Sequence, residues 1–110
     1  MNKNFMIISI ETSTSDLSLT LLNEETIVNN ISIPFNNELS EIIVPTIKSF
    51  LKDNSISFND ISFLAVGCGP GSFTGIRTII STALGITISN SQIKSIGINS
   101  ISSLIAVQPR

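Results

Sequence analysis

The order of strand-like and helix-like patterns predicts a single α/β domain with a mixed five-stranded sheet covered by helices. Three strand-like segments come first, and two further strands then alternate with helical patterns. Two strands joined through a helix pair in parallel with a right-handed crossover, whereas the three opening strands form an antiparallel meander. A chain of 110 residues supports one hydrophobic core.

The opening third of the sequence predicts the meander. Residues 5–10 are an almost continuous apolar run, and residues 17–22 alternate with the period of two that is typical of a strand. The polar residues 11–16 between them predict a turn. Residues 23–25 predict a second turn, after which a third strand covers residues 26–33 and ends at Pro34.

The first helix is predicted from apolar residues three and four positions apart, and it ends near Asp53. These residues are Leu39, Ile42, Ile43, Ile47, Phe50 and Leu51. Pro45 lies within this pattern and lacks a backbone N–H, so we expect a kink or a boundary there.

The second half alternates strands and helices. A buried strand is predicted over residues 61–66 and a fifth strand over 94–98, with a short final helix over 100–106. Between the two strands, a second helix begins near Ser72 or Phe73 after a glycine-rich turn. Its apolar positions are Ile76, Ile79, Ile80, Ala83 and Leu84.

Composition argues against several classes of function. Six basic and eight acidic residues give a net charge of -2, and Lys and Arg do not cluster with aromatic residues, so strong direct nucleic-acid binding is not expected. The apolar segment 61–76 is interrupted by glycines and Pro70, which argues against a membrane span. A single cysteine and no secretory signal pattern favour the cytoplasm. Because histidine and clustered thiols are absent, a zinc or iron site would need carboxylates alone, and the scattered acidic residues form no obvious acid–base pair. No metal site, cofactor or catalytic residue is therefore expected.

Two segments have residues suited to ligand binding, and each has a plainer interpretation. The glycine-rich segment 67–78 leads from a strand into a helix, where amide donors and the helix dipole can hold an anion. It lacks the motifs of the common nucleotide loops, and a tight turn capped by Ser72 or Thr74 is favoured. Glu11, Thr12, Ser13 and Thr14 can hold hydrated Mg²⁺ or a nucleotide, but a polar β-turn is again favoured.

Three segments resemble one known family. The sequence Gly-Pro-Gly-Ser-Phe-Thr-Gly-Ile-Arg from Gly69 to Arg77 is similar to the signature of the TsaB (YeaZ) family of tRNA threonylcarbamoyladenosine biosynthesis proteins. Residues 8–14 resemble that family's first strand and loop, and residues 96–101 its strand-to-helix segment. Glu11 stands where the family usually has Asp, and Leu39 where relatives often have His.

The resemblance implies one lobe of an actin-like ATPase (ASKHA, ribonuclease H-like) fold, with residues 1–110 as the amino-terminal lobe and the second lobe absent. It implies a noncatalytic subunit that pairs with a TsaD-like catalytic subunit, with a TsaE-like ATPase as a further partner and a homodimer as an alternative. Glu11 to Thr14 would then be a vestigial nucleotide loop. Two other functions stay open: an ATP- or metal-dependent, glycoprotease-like enzyme of the same superfamily, and a degenerate remnant without activity.

In that family the two helices beside the glycine turn form the dimer contact. The resemblance therefore implies a partner interface on this chain, although the same apolar side chains can instead pack on the chain's own sheet. The implied interface residues are Leu39, Ile43, Ser72, Phe73, Ile76, Arg77 and Ile80.

Overall fold

A five-stranded mixed sheet organises the chain, whose computed structural model describes residues 5–24, 26–36, 38–69 and 73–97. The elements in chain order are β1 (Met6–Thr12), β2 (Asp16–Asn23), β3 (Thr26–Pro34), α1 (Leu39–Asp53), β4 (Phe63–Cys68), α2 (Phe73–Ser89) and β5 (Lys94–Gly97). The strand order across the sheet is β3-β2-β1-β4-β5.

Strand directions confirm the predicted mixture of antiparallel and parallel pairing. The first three strands form an antiparallel meander, while β1 pairs with β4, and β4 with β5, in parallel. Each parallel connection contains a helix, which is the usual form of the long crossover that parallel strands require. The predicted final helix over residues 100–106 lies outside the described residues.

The core lies between one face of the sheet and the two helices. Alternate residues of β1 and β2 are buried, including Ile8 and Ile10 on β1 and Leu19 on β2. The helices contribute Ile47 and Ile79 to the same cluster and also contact each other. The strand side chains that are buried at every second position and the apolar face of α1 meet in one continuous core.

Helix α1 is continuous through Pro45, so the expected boundary at that residue is not present. A proline within a helix leaves one backbone carbonyl without its usual donor, here that of Glu41 four residues earlier. Burial of the apolar face outweighs this loss. Of the residues that predicted α1, Ile42 is partly buried and the other five are buried.

Strand β1 is longer than the sequence predicted. It continues through Glu11 and Thr12, which had been assigned to the turn, because both residues pair with β2 and with β4. The sequence also did not predict a short 3₁₀-helix at Phe58–Asp60. There the backbone N–H of Ser57 donates to Oδ2 of Asp60 at 3.0 Å, which caps the turn.

Candidate functional site

Helix α2 exposes a row of apolar side chains on the side that does not pack on the sheet. Its inward face consists of residues such as Ile79 and Ala83, which are 2% and 4% exposed. The outward residues recur at every fourth position, the spacing that places side chains next to one another along a helix. This row consists of Ile76, Ile80, Leu84 and Ile88, whose exposures are 40%, 50%, 56% and 78%. We call it the apolar row of α2.

Isolated apolar side chains on a protein surface are ordinary, but a continuous apolar row on one helix is typical of an interaction surface. Val44 on α1 adds a further exposed apolar side chain, at 39%. Val44 also lines a groove between α1 and α2, and this groove lies beside the apolar row. The exposed apolar surface therefore spans both helices.

The α1–α2 groove has a volume of about 700 Å³. Its lining includes the buried residues Ile43 and Ile86, and polar side chains from both helices surround them. On α2, every residue that follows a member of the apolar row in sequence lines this groove: Arg77, Ser81, Gly85 and Ser89. The row and the groove are thus adjacent strips of one helix surface.

The charged residues that line the groove are Lys48 on α1 and Arg77 on α2. Both are exposed, and neither forms an ion pair with any residue that the structure describes. Among the residues that the structure describes, no carboxylate lines the groove. The groove is cationic although the whole chain has a net charge of -2.

The seven residues that the resemblance implied as an interface do not form one exposed set. Leu39 and Ile43 are only 5% and 1% exposed, because the apolar face of α1 packs on the chain's own sheet. Their assignment to a partner-facing surface is corrected: they belong to the core, and only Ile43 reaches the base of the groove. Ile76, Arg77 and Ile80 are exposed on α2.

Of the two remaining residues of that set, Phe73 is the first residue of α2, and Ser72 lies outside the described residues. The resemblance implied the exposed faces of the two helices as the partner surface, but it did not single out Val44, Lys48, Leu84 and Ile88. The signal that was available for α2 is that its apolar residues extend around the helix, beyond what one sheet can cover.

Side-chain hydroxyl groups stabilise the hairpin turn between β1 and β2 through hydrogen bonds to its backbone. The backbone N–H of Asp16 donates to Oγ of Ser13 at 3.0 Å, and the N–H of Ser13 donates to the carbonyl oxygen of Asp16 at 2.9 Å. Thr12 is 1% exposed, and its Oγ1 donates to the carbonyl oxygens of Ser13 and Asp16 at 3.1 and 3.4 Å. These bonds favour the polar-turn interpretation of Glu11 to Thr14.

Cys68 ends β4 beside this hairpin turn. Burial raises the pKa of its thiol, and the nearby carboxylate of Glu11 raises that pKa further. A thiol with a raised pKa stays protonated, which is the opposite of what an activated nucleophile requires. Cys68 is therefore not suited to nucleophilic catalysis.

Two negative findings apply to the described part of the chain. It contains no group of three or more His, Cys, Asp or Glu side chains arranged to hold a metal ion. None of its helices combines the length and the apolar character that crossing a membrane requires.

Comparison with known proteins supplies a family context. The family model described as "TsaD: tRNA N6-adenosine threonylcarbamoyltransferase" matches residues 34–109. Two curated relatives that resemble this chain carry the same name, tRNA threonylcarbamoyladenosine biosynthesis protein TsaB. The protein from Buchnera aphidicola subsp. Baizongia pistaciae is 35% identical over 74% of this chain and 37% of its own length. The protein from Escherichia coli K12 is 33% identical over 86% of this chain and 40% of its own length.

A solved structure supports the fold. YeaZ from Pseudomonas aeruginosa superposes with a TM-score of 0.72 and 21% sequence identity, covering 84% of this chain and 44% of that one. The α/β ribonuclease H-like lobe predicted from the sequence is confirmed by this match together with the mixed sheet. The chain spans roughly two fifths of the length of the curated relatives that it matches.

Proposed function

Because this chain belongs to the TsaB (YeaZ) family of tRNA threonylcarbamoyladenosine biosynthesis proteins, within the broader family that the TsaD description covers, we propose that it is a noncatalytic partner subunit in that modification. It acts by docking α1 and α2 onto a TsaD-like catalytic subunit in the cytoplasm. A TsaE-like ATPase is a further component of the same system.

The observation that carries this proposal is the exposed apolar row of α2. Four aliphatic side chains face solvent along one helix, and covering them with a partner removes apolar surface from water. The adjoining groove gives the partner a concave surface to fill. Interface cores are usually apolar and surrounded by polar groups, as the surface of α1 and α2 is.

The enzymatic alternative receives less support from the described residues. The hydroxyl groups of Thr12 and Ser13 form hydrogen bonds with the backbone of the β1–β2 turn, and the Cys68 thiol has a raised pKa. Calorimetry of the purified chain with ATP and Mg²⁺ tests this alternative directly. Saturable heat of binding would favour a nucleotide-dependent enzyme over the proposed subunit.

Copurification with the TsaD-like subunit of the same cell tests the proposed function. The two proteins are coexpressed with a tag on the TsaD-like subunit, and the mass of the complex is measured. We expect a stoichiometric complex with the unaltered chain and loss of the complex with Ile80→Glu, which places a carboxylate in the centre of the apolar row.

Ile27→Glu is the matched control, since Ile27 is 61% exposed on β3 and lies on neither helix. This variant should copurify as the unaltered chain does. Failure of the unaltered chain to form any complex would contradict the proposed function. Equal loss with Ile27→Glu and Ile80→Glu would contradict the assignment of the surface.

A further inference from the structure

Another groove lies on the other side of α1, between that helix and strand β3. Its volume is about 410 Å³, and no described residue lines both this groove and the α1–α2 groove. Its apolar lining comes from the strand and the helix together: Ile31, Ile33, Ile42, Pro45 and Phe50. We call it the β3–α1 groove.

We propose that the β3–α1 groove binds an extended peptide segment of another protein, with apolar residues at alternate positions and a basic residue at each end. The segment pairs with the outer edge of β3 and places its alternate side chains in the groove. Peptides bind in this way wherever a domain presents a free strand edge beside a side-chain pocket. Three observations support the proposal: the free edge, the charge of the lining, and the spacing of the charged residues.

Strand β3 has an unpaired edge along this groove. It is the last strand on its side of the sheet, so its outer backbone groups have no neighbouring strand among the described residues. Charged side chains commonly protect such an edge, but β3 has none between Thr26 and Pro34. A register shift near its start and Pro34 at its end leave residues 29–33 as the regular stretch. This stretch can pair with one added strand.

The charged residues that line the β3–α1 groove are both acidic. Glu41 is in the first turn of α1 and Asp53 is its last residue, and both are exposed. Neither forms an ion pair with a described residue, and no Lys or Arg of the described ranges lines the groove. Asp53 lies at the negative end of the helix dipole, so its own helix does not stabilise the carboxylate. A basic side chain of a ligand would compensate each charge.

The spacing of the two carboxylates sets the pattern of the ligand. Helix α1 runs back along β3, because the side-chain amide of Asn29 donates a 3.1 Å hydrogen bond to Oδ1 of Asn54, just after the helix. Glu41 and Asp53 are about 18 Å apart along the helix axis at 1.5 Å per residue. About six residues of an extended peptide cover 20 Å, and residues an even number apart share a face. The basic residues should therefore be six positions apart, with two apolar residues alternating between them.

This chain does not supply such a segment itself. No two of its Lys and Arg residues have that spacing in the sequence. A second copy that paired edge to edge through β3 would instead bring Glu41 and Asp53 of both copies close together, and like charges oppose association. The ligand is therefore a segment of a different protein.

Calorimetry with synthetic peptides tests this inference. The probe is Lys-Thr-Ile-Thr-Ile-Thr-Lys with blocked termini, and the control peptide is Glu-Thr-Ile-Thr-Ile-Thr-Glu. We expect saturable binding of the basic peptide and none of the acidic one. The variant Glu41→Gln/Asp53→Asn should bind the basic peptide at least about threefold more weakly, since it loses two exposed ion pairs. The control variant Glu11→Gln/Glu24→Gln has the same net charge and an unchanged groove, so its affinity should equal that of the unaltered chain.

Hydrogen exchange locates the bound peptide. Exchange of backbone amides within residues 29–33 should slow, while that of β5, the opposite edge of the sheet, should not change. The inference is overturned if the basic peptide does not bind, if the acidic peptide binds equally, if both double variants lose equal affinity, or if protection lies elsewhere. Protection of β3 by self-association, without peptide, would also overturn it.

Ile80→Glu separates this site from the docking surface of the proposed function. Ile80 does not line the β3–α1 groove, so this variant should bind the basic peptide as the unaltered chain does. Loss of peptide binding in Ile80→Glu would contradict the assignment of the peptide to β3. Failure of the peptide to bind leaves the copurification result of the proposed function unaffected.

Discussion

The backbone N–H of Gly69 donates a 2.7 Å hydrogen bond to the carbonyl oxygen of Thr12, so the segment after β4 is held against the end of β1. This bond continues the parallel pairing of the two strands beyond its last residue pair, Thr12 with Cys68. A Cβ atom at Gly69 would be 3.6 Å from the same carbonyl oxygen, which is ordinary contact. Backbone pairing and the buried Thr12 therefore hold the start of the β1–β2 turn and the end of β4 together at the carboxyl ends of these two strands.

Replacing Thr12 by valine should destabilise the fold. The change keeps the shape of the side chain but removes the hydroxyl that donates to the carbonyl oxygens of Ser13 and Asp16. Because Thr12 is buried, we expect the free energy of unfolding to fall by about 1 to 2 kcal/mol, measured by urea denaturation. Thr26→Val on β3 is the control, since Thr26 is exposed and should change stability by about 0.5 kcal/mol or less. Equal effects at the two sites would contradict the role given to Thr12.

Adjacent isoleucines on α2 should respond very differently to truncation. Ile79 is 2% exposed and Ile80 is 50% exposed. Ile79→Ala leaves a cavity in the core and should lower the free energy of unfolding by about 2 to 4 kcal/mol. Ile80→Ala should change it by about 0.5 kcal/mol or less. Thermal melts of both variants measure this contrast. A loss of stability for Ile80→Ala as large as that for Ile79→Ala would show that the apolar row packs within the fold.

Gly85→Ala should stabilise the isolated chain. Gly85 lies within α2, and a Cβ atom there would have no other atom within 4 Å. Alanine restricts the unfolded chain and favours the helix, so we expect the free energy of unfolding to rise by about 0.5 to 1 kcal/mol. Urea denaturation measures the gain, and a lower midpoint would mean that the site is not open.

Glu11→Gln should make Cys68 easier to ionise. Burial is the larger cause of the raised thiol pKa and Glu11 the smaller, so removing the carboxylate lowers this pKa without restoring its ordinary value of 9.0. Alkylation of Cys68 by iodoacetamide, followed across pH, should begin at a lower pH in this variant. Glu24→Gln, at the other end of the β1–β2 hairpin, is the control and should leave the alkylation profile unchanged. An unshifted profile for Glu11→Gln would contradict the interaction.

The raised thiol pKa also sets the sign of a pH effect on stability. The folded chain holds the thiol proton up to a higher pH than the unfolded chain does. The resulting stabilisation is complete below pH 9.0 and is lost as pH rises through the pKa of the folded state.

The helices illustrate what the sequence can predict. Spacings of three and four fixed the buried face of α1, where Ile43 and Ile47 are both core residues. The same pattern could not show whether that face covers the chain's own sheet or a partner, and the structure buries Leu39 and Ile43 in the chain's own core. In α2, apolar residues occur on several sides, and only the packed structure separates Ile79 from Ile80.

The ends of the strands show a second limit of prediction from the sequence. Glu11 and Thr12 are polar and precede serine and threonine residues, which is a turn signal in sequence, yet β1 includes both. Their strand conformation depends on partners in β2 and β4, which are distant in sequence. The capped turn before β4 was not predicted, although Ser57 followed three positions later by Asp60 is a signal for it in the sequence.

The four-residue spacing of the apolar row has a geometric consequence for any helix that packs on it. Side chains at every fourth position form a ridge inclined to the helix axis by about 26°, and Ser40, Val44 and Lys48 repeat this spacing on α1. When ridges of this kind from two helices interdigitate, the axes cross at about −50°. An arriving helix that presents a ridge of the same four-residue spacing would therefore lie obliquely across α2, in an orientation unlike the near-parallel arrangement of a coiled coil.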